Sequence, residues 1–433
     1  MHIYFSGIGG TGIAPLAALA KDAGYEVSGS DIKQTQYFEY LNSKGITDIT
    51  VGQTDGQIAS RHIEKPIDWF VYTSALNTVK DHPELAFCNQ RGIKTSKRDE
   101  LLNKIIRDKN LKLIAIAGTH GKTTTTAMAI WAMKQLGIKV SYLVGATLSF
   151  GDMSAYEAGS EYFIYECDEF DRNFLAFNPF FSIISGVSWD HHEIYPTKDD
   201  YNQAFLQFLG QSQRAKLWQD DVKRLALELT NDKYAIEDEQ NPAIGNIGLA
   251  GLYNRRDAWL VIKAVSQITG ATTEEVAKVM DKFPGVSRRF ERIAPNLYTD
   301  EAHTPEKITG AMSVARETAG KSGQKIVVVY EPLTNRRMHY LGAQHHSVFE
   351  GASAIYWLPS YLAREDPDLP VLTPEELIKH LSAELQKVAR PATKNEELKS
   401  SIQKHLSEGD LVVAMAGGGG DSLDEWLRQQ FSH

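Results

Sequence analysis

The stretch Gly118-Thr119-His120-Gly121-Lys122-Thr123-Thr124-Thr125-Thr126 packs glycines, a lysine and a row of hydroxyls into one short segment. An apolar run over 113–117 precedes it, and the helix-forming run 127–133 follows. A strand, a glycine turn, a lysine and a helix in that order make a phosphate cradle, because backbone N–H groups and a helix N-terminus face the anion. Gly118, Thr119, His120, Gly121, Lys122, Thr123 and Thr124 are therefore read as a nucleoside-triphosphate loop. Lys122 would supply a point charge, and the Thr123 hydroxyl is of the type that ligates Mg2+. The general P-loop pattern would place glycine at 116, where Ile116 stands, so this is a shortened variant. The plain rival is a glycine turn ahead of a helix with a solvated lysine.

Other candidate groups lie at the ends of apolar runs. The run 162–165 leads into Glu166-Cys167-Asp168-Glu169-Phe170-Asp171. Glu166 is expected to share a magnesium with Thr123, and a solvated turn is the rival reading of the acidic run, expected to hold for some of Asp168, Glu169 and Asp171. The run 181–187 leads into Asp190-His191-His192-Glu193. His191 is expected to serve a metal or phosphate, and His192 is the weaker candidate. Near the start, Gly7-x-Gly9-x-x-Gly12 follows a short apolar run, with Asp31 after the next one. This is a dinucleotide fingerprint, in which Asp31 would face ribose hydroxyls. A tight strand–helix turn is the alternative. An NAD-dependent oxidoreductase would have no need of the second loop. The pair Arg288-Arg289 suits either a phosphate clamp or a solvated basic pair.

The elements that must position these groups alternate strand and helix. Strands are expected at 2–5, 69–73, 162–165, 181–187, 325–330, 354–358 and 411–416, with helices at 13–23, 97–109 and 255–270 and a terminal helix to Phe431. Such alternation predicts an α/β fold with parallel sheets and ligands at the carboxyl ends of the strands. Between about 210 and 247 the pattern is polar, and no element is read there. At 433 residues the chain is long enough for two or three domains. Its net charge of −9 argues against a general nucleic-acid binder. Cys88 and Cys167 have no metal or disulfide spacing and are expected as reduced thiols of a cytoplasmic protein. An apolar strand so near the first residue leaves no room for a signal peptide, and no run approaches a membrane span.

Taken together these motifs resemble the Mur ligase family, the ATP-dependent ligases of peptidoglycan synthesis. The loop 118–126 matches that family's phosphate loop. Gly7 to Gly12, Ser28-Gly29-Ser30-Asp31, Thr73-Ser74-Ala75-Leu76, Pro83-Glu84 and Arg98-Asp99-Glu100-Leu101-Leu102 are similar to its alanine-adding branch. So are Glu166 to Asp171, Asp190-His191, the segment 285–291 and, in modified form, 300–305.

The resemblance implies three domains: an N-terminal Rossmann-like UDP-binding domain (1–108), a central P-loop ATPase-like domain (109–292) and a C-terminal Rossmann-like domain (293–433) that brings in the amino acid and closes over ATP. It implies that Gly9, Gly10, Thr11, Gly12, Asp31 and Ser74 hold UDP-N-acetylmuramate. Asn254, Arg289 and Asp300 would join the loop in contacting ATP. Thr123, Glu166 and His191 would serve Mg2+, with Lys122, Glu166 and His191 catalytic. His303, Arg336 and Arg337 would receive the amine substrate, L-alanine. The implied reaction makes an acyl phosphate from the lactyl carboxylate and ATP, then an amide. Departures are visible in two places. Gly251-Leu252-Tyr253-Asn254-Arg255-Arg256-Asp257-Ala258 has tyrosine and aspartate where the family's adenine motif has histidine and asparagine. The third-domain motif is altered to Glu331-Pro332-Leu333-Thr334-Asn335-Arg336-Arg337, somewhat like the tripeptide-recycling ligase of the family. That ligase and a non-catalytic UDP-sugar-binding protein remain alternatives.

Overall fold

In the computed structural model, residues 1–73, 76, 81–191, 194–229, 232–362 and 365–431 are described. They form three mostly parallel sheets flanked by helices, the α/β architecture that the alternation of elements predicts.

The first sheet comprises β1 (His2–Ser6), β2 (Glu26–Asp31), β3 (Ile49–Val51), β4 (Trp69–Tyr72) and β5 (Lys94–Lys97), all parallel, in the order β3-β2-β1-β4-β5. The strand order reverses between β1 and β4, so a crevice opens at their carboxyl ends. The turn 7–12 leaves β1 there.

The second sheet comprises β6 (Lys112–Ala117), β7 (Val140–Leu143), β8 (Ser154–Ala155), β9 (Tyr162–Glu166), β10 (Phe181–Ile184), β11 (Arg214–Trp218) and β12 (Tyr234–Glu237), in the order β12-β11-β10-β6-β9-β7-β8. Strand β6 is central, and its neighbours β9 and β10 run parallel to it. Ile116 pairs in register with Glu166, and Ala117 with Ile184. The carboxyl ends of both neighbours therefore flank the loop that follows β6.

Strands β11 and β12 occupy the region where the sequence shows no readable element. A buried ion pair links them: Lys216 Nζ lies 2.8 Å from Glu237 Oε1, and Trp259 Nε1 donates to Glu237 Oε2 at 2.9 Å. Charged residues inside adjacent strands hide the apolar pattern that marks a strand.

The third sheet comprises β13 (Glu291–Ala294), β14 (Leu297–Asp300), β15 (Ile326–Glu331), β16 (Ala352–Trp357), β17 (Ala389–Pro391) and β18 (Leu411–Ala416), in the order β13-β14-β18-β15-β16-β17. It is parallel except for the β13–β14 pair. Strands β15 and β18 are buried along their whole length, as the continuous apolar runs require.

Two compact units result: Met1–Pro242 with Asp257–Phe283, and Ala243–Arg256 with Pro284–His433. Within the first unit one apolar cluster runs through both sheets, from Ile3, Phe5 and Leu16 to Leu113, Phe163, Phe174 and Phe205. The third sheet packs its helices on two clusters of its own. Cys88 and Cys167 are buried free thiols. Among the described residues no helix is long and apolar enough to cross a membrane.

Candidate active site

The loop after β6 is held open by two glycines. Gly118 has φ +142°, and a methyl there would come within 2.4 Å of Ser185 Oγ and 2.9 Å of Gly186 O. Gly121 has φ +78° and faces Asp257, whose Oδ2 would lie 2.6 Å from an added methyl. Neither position admits an L side chain at ordinary cost. The helix Lys122–Gln135 then begins, with its first amides unused by its own backbone. Thr119 ties the loop to the segment after β10: its N–H donates to Gly186 O at 2.8 Å and its hydroxyl to Ser188 O at 2.7 Å.

The four threonines do different work. Thr125 and Thr126 are fully buried and donate back to Gly121 O and Lys122 O, at 2.9 and 2.8 Å. Thr123 Oγ1 donates to Glu166 Oε1 at 2.9 Å, so the expected pair of hard oxygen ligands is brought together. The other Glu166 oxygen accepts the Gly145 N–H at 3.3 Å.

Lys122 folds over its own loop. Its Nζ donates to Gly118 O and to Glu169 Oε2, both at 2.7 Å, and lies 3.7 Å from Asp168 Oδ1. Burial alone would lower the lysine pKa, but Glu169 and Asp168 more than offset this and raise it, so the ammonium stays charged. Against the cost of burial, Lys122 and Arg98 hold Asp168 below the usual carboxylate range.

Asp168 and Asp171 of the acidic run stay partly exposed, but Glu169 does not. Glu169 is fully buried and is the hub of the site. It accepts from Lys122, Tyr195 OH donates to its carbonyl at 2.6 Å, and Tyr201 OH lies 3.4 Å from its Oε1. His191 Nε2 is 3.6 Å from the same oxygen. Burial pushes the Glu169 carboxyl up, with Lys122 opposing. The sequence reading passed over Glu169 because its partners lie on other strands and helices. Its one available signal was the phenylalanine after it, Phe170, which packs edge-on against the His191 ring at 5.1 Å. Asp171 turns away and pairs with Lys97 at 2.9 Å.

His191 itself has φ +54°, and its N–H donates to Asp190 Oδ1 at 2.7 Å. His192 and Ser74 lie outside the described residues.

Asp257 was also missed as a member of this site. It is buried against the loop, and burial pushes its carboxyl well up, with the neighbouring Thr125 hydroxyl opposing.

The first glycine turn sits on β2. Gly7 and Ile8 N–H donate to Ser30 O, at 2.8 and 2.9 Å, and Thr35 Oγ1 donates to Gly9 O at 2.9 Å. Asp31 Oδ2, expected to face ribose, accepts the Gly9 N–H at 2.9 Å and so braces the turn. Gly10 N–H donates to Gly7 O at 3.0 Å. Thr11 and Gly12 remain at the surface of the turn.

In the second unit Asp300 ends β14. Its Oδ2 accepts the Phe290 N–H at 2.7 Å, and burial pushes its carboxyl up to about 6, with Arg289 opposing. Arg289 pairs with Glu301. His303 Nδ1 lies 2.6 Å from Glu301 O, and burial, aided by Lys307 and Arg337, pushes the imidazole down to about 3. His303 is therefore neutral in ordinary buffers. Arg337 Nη1 and Thr304 Oγ1 are buried without a hydrogen-bond partner among the described residues. Arg336 is exposed, and its backbone N–H is taken by Glu365 at 2.9 Å. Asn254 Nδ2 donates to Ala250 O at 2.9 Å.

The altered motif carries structure. Glu331 accepts Lys394 Nζ at 2.7 Å and Leu423 N–H at 2.8 Å. Asn335 is buried and bridges Pro370 O and Leu372 N–H at 3.0 and 2.9 Å.

Comparison with known proteins agrees with this arrangement. Residues 2–110 match the model of the Mur ligase family catalytic domain, and residues 116–245 match that of the Mur ligase middle domain. The chain is 28% identical to a UDP-N-acetylmuramate–L-alanine ligase of Fusobacterium nucleatum, over 88% of this chain and 87% of that one. In fold it is similar to the UDP-N-acetylmuramate-alanine ligase of Thermotoga maritima, with TM-score 0.76 at 23% identity, covering 99% and 98% of the two chains. It is also similar in fold to a murein peptide ligase of Psychrobacter arcticus, with TM-score 0.63 at 21% identity, covering 97% and 96%. Two family domains in sequence order, each carrying its own glycine loop at the end of a central strand, make this chain a member of the Mur ligase family.

Proposed function

We propose that the protein is an ATP-dependent, amide-forming ligase that joins L-alanine to the lactyl carboxylate of UDP-N-acetylmuramate. The relatives' names support this choice of substrates. The observation that carries the chemistry is the cluster at the end of β6, where Lys122, Thr123, Glu166 and Glu169 meet around a helix N-terminus.

Two anions must approach each other in such a reaction, and the chain's groups suit that task. The loop amides and Lys122 would hold the phosphates of ATP. The oxygen set of Thr123 and Glu166 fits a hard cation, and His191, whose Nε2 lies 3.6 Å from Glu169 Oε1, would serve it too. Mg2+ held there would neutralise charge on the transferring phosphoryl group. A carboxylate oxygen of the sugar nucleotide attacks the γ-phosphorus, ADP leaves, and an acyl phosphate forms. The free amine of L-alanine then attacks the carbonyl carbon, loses a proton and expels phosphate. Asn254, Arg289 and Asp300 serve ATP, while His303, Arg336 and Arg337 serve the amino acid. The neutral state of His303 leaves the cationic Arg337 to meet its carboxylate. Residues 1–108, 109–292 and 293–433 are the three working domains, and the site of action is the cytoplasm.

Phosphate release tests the reading. The protein is given ATP, Mg2+ and UDP-N-acetylmuramate, and then either L-alanine or L-alanyl-γ-D-glutamyl-meso-diaminopimelate. Release with L-alanine is expected. Release with the tripeptide alone would assign the recycling activity instead, and release with neither would favour a non-catalytic binding protein.

A further inference from the structure

The first glycine turn has no lysine of its own, yet a cation stands over it. The helix Arg98–Asp108 starts directly after β5, and Arg98 reaches back across the sheet to the turn. A methyl added to Gly12 would come within 2.7 Å of Arg98 Nη1. The Arg98 side chain is 32% exposed, and among the described residues its ion-pair partner is Asp99, 3.5 Å from Nε. No hydrogen bond of its η nitrogens is found among those residues. The turn offers matching donors. The amides of Gly7, Ile8, Gly9, Gly10 and Ile13 all have acceptors, whereas those of Thr11 and Gly12 have none among the described residues. Tyr165, Asp99, Asp168 and Glu166 surround the guanidinium and favour its charge. Two consecutive amides without acceptors among the described residues, beside a guanidinium whose η nitrogens make no hydrogen bond among them, form an anion cradle at the β1–β4 crevice.

We propose that Arg98 binds the diphosphate of the sugar nucleotide, its fork completing the cradle made by Thr11 and Gly12 N–H. This rests on the sugar-nucleotide reading above and adds a residue to it. A guanidinium meets two phosphate oxygens with a rigid planar fork, a geometry that the point charge of a lysine lacks.

Calorimetry with uridine, UMP and UDP, without ATP or Mg2+, separates the outcomes. Wild-type protein is expected to bind UDP more tightly than uridine. Arg98→Ala should lose on the order of 10- to 100-fold in UDP affinity and nothing in uridine affinity. Arg98→Lys should recover part of the loss. Gly12→Ala keeps the charge but displaces the guanidinium, so it should weaken UDP in the same selective way, and it covers the case in which Arg98→Ala fails to fold. A variant that keeps the wild-type gain from uridine to UDP, or that weakens both ligands equally, would overturn the role of Arg98 alone. Wild-type protein that binds none of the three would overturn the sugar-nucleotide reading and this assignment with it.

Discussion

Two glycine turns stand at the ends of central strands in neighbouring sheets, and they differ in where their cation comes from. The turn 118–121 is followed at once by Lys122, which is locked to Gly118 O and to buried Glu169. The turn 7–12 has no basic residue and takes Arg98 from a helix beyond four further strands. A cation next to its loop is fixed before any ligand arrives. A cation delivered by the fold keeps free donors for the ligand. The first arrangement suits a group that must be charged and in place for phosphoryl transfer, and the second suits recognition.

Breaking the locked turn should cost most. Lys122→Met is expected to lower kcat/KM for ATP by on the order of 1,000-fold, read by phosphate release. It should also destabilise the protein by about 3 kcal/mol, because Glu169 is left buried and unpaired. Adding Glu169→Gln should restore much of the midpoint in thermal unfolding without restoring activity. A double variant as inactive and as unstable as the single one would show that Glu169 is not the partner that matters.

Gly118→Ala strikes the same turn through its backbone. A forced φ of +142° and the clash with Ser185 should cost about 1–3 kcal/mol and reduce Mg-nucleotide binding, measured by calorimetry. Normal nucleotide affinity would mean that the loop is not shaped for phosphate.

The smallest effect is a pH dependence in the second unit. Unfolded His303 takes up a proton near 6.5, but folded His303 does so only near 3. Its contribution to stability is therefore present above pH 6.5 and lost as pH falls towards 3. Asp300 acts with the opposite sign, since its folded carboxyl keeps a proton up to about 6. Its contribution is present below 3.8 and lost as pH rises through 6. His303→Gln should consequently flatten the loss of stability on acidification, read from thermal midpoints between pH 4 and 7. An unchanged profile would place the proton uptake elsewhere.

Much of this was legible in the sequence where the chemistry is contiguous. The run Gly118 to Thr126 contains its own strand exit, turn, cation and helix, so order alone identified it. The pairing of Thr123 with Glu166 was legible because Thr123 directly follows the loop's lysine and Glu166 ends an apolar run, here the strand next to the loop's own. Glu169, Asp257 and Arg98 were not assigned roles, since each acquires one only when distant segments meet. Glu169 in particular resembled a solvated acid until Tyr195, Tyr201 and Lys122 closed over it. Strands β11 and β12 were hidden by the Lys216–Glu237 pair, which puts charge inside a sheet. In the second unit, Glu331 and Asn335 stood out only as departures from the family's third-domain motif. They brace neighbouring segments, which no local pattern shows.

The most direct test of the phosphoryl-transfer chemistry is isotope tracing. UDP-N-acetylmuramate labelled with 18O in its lactyl carboxylate is turned over with ATP, Mg2+ and L-alanine, and the phosphate released is analysed by mass. Transfer of one labelled oxygen to each phosphate is expected if the carboxylate attacks the phosphoryl group held over Lys122. Phosphate carrying no label, with ATP still consumed, would contradict it.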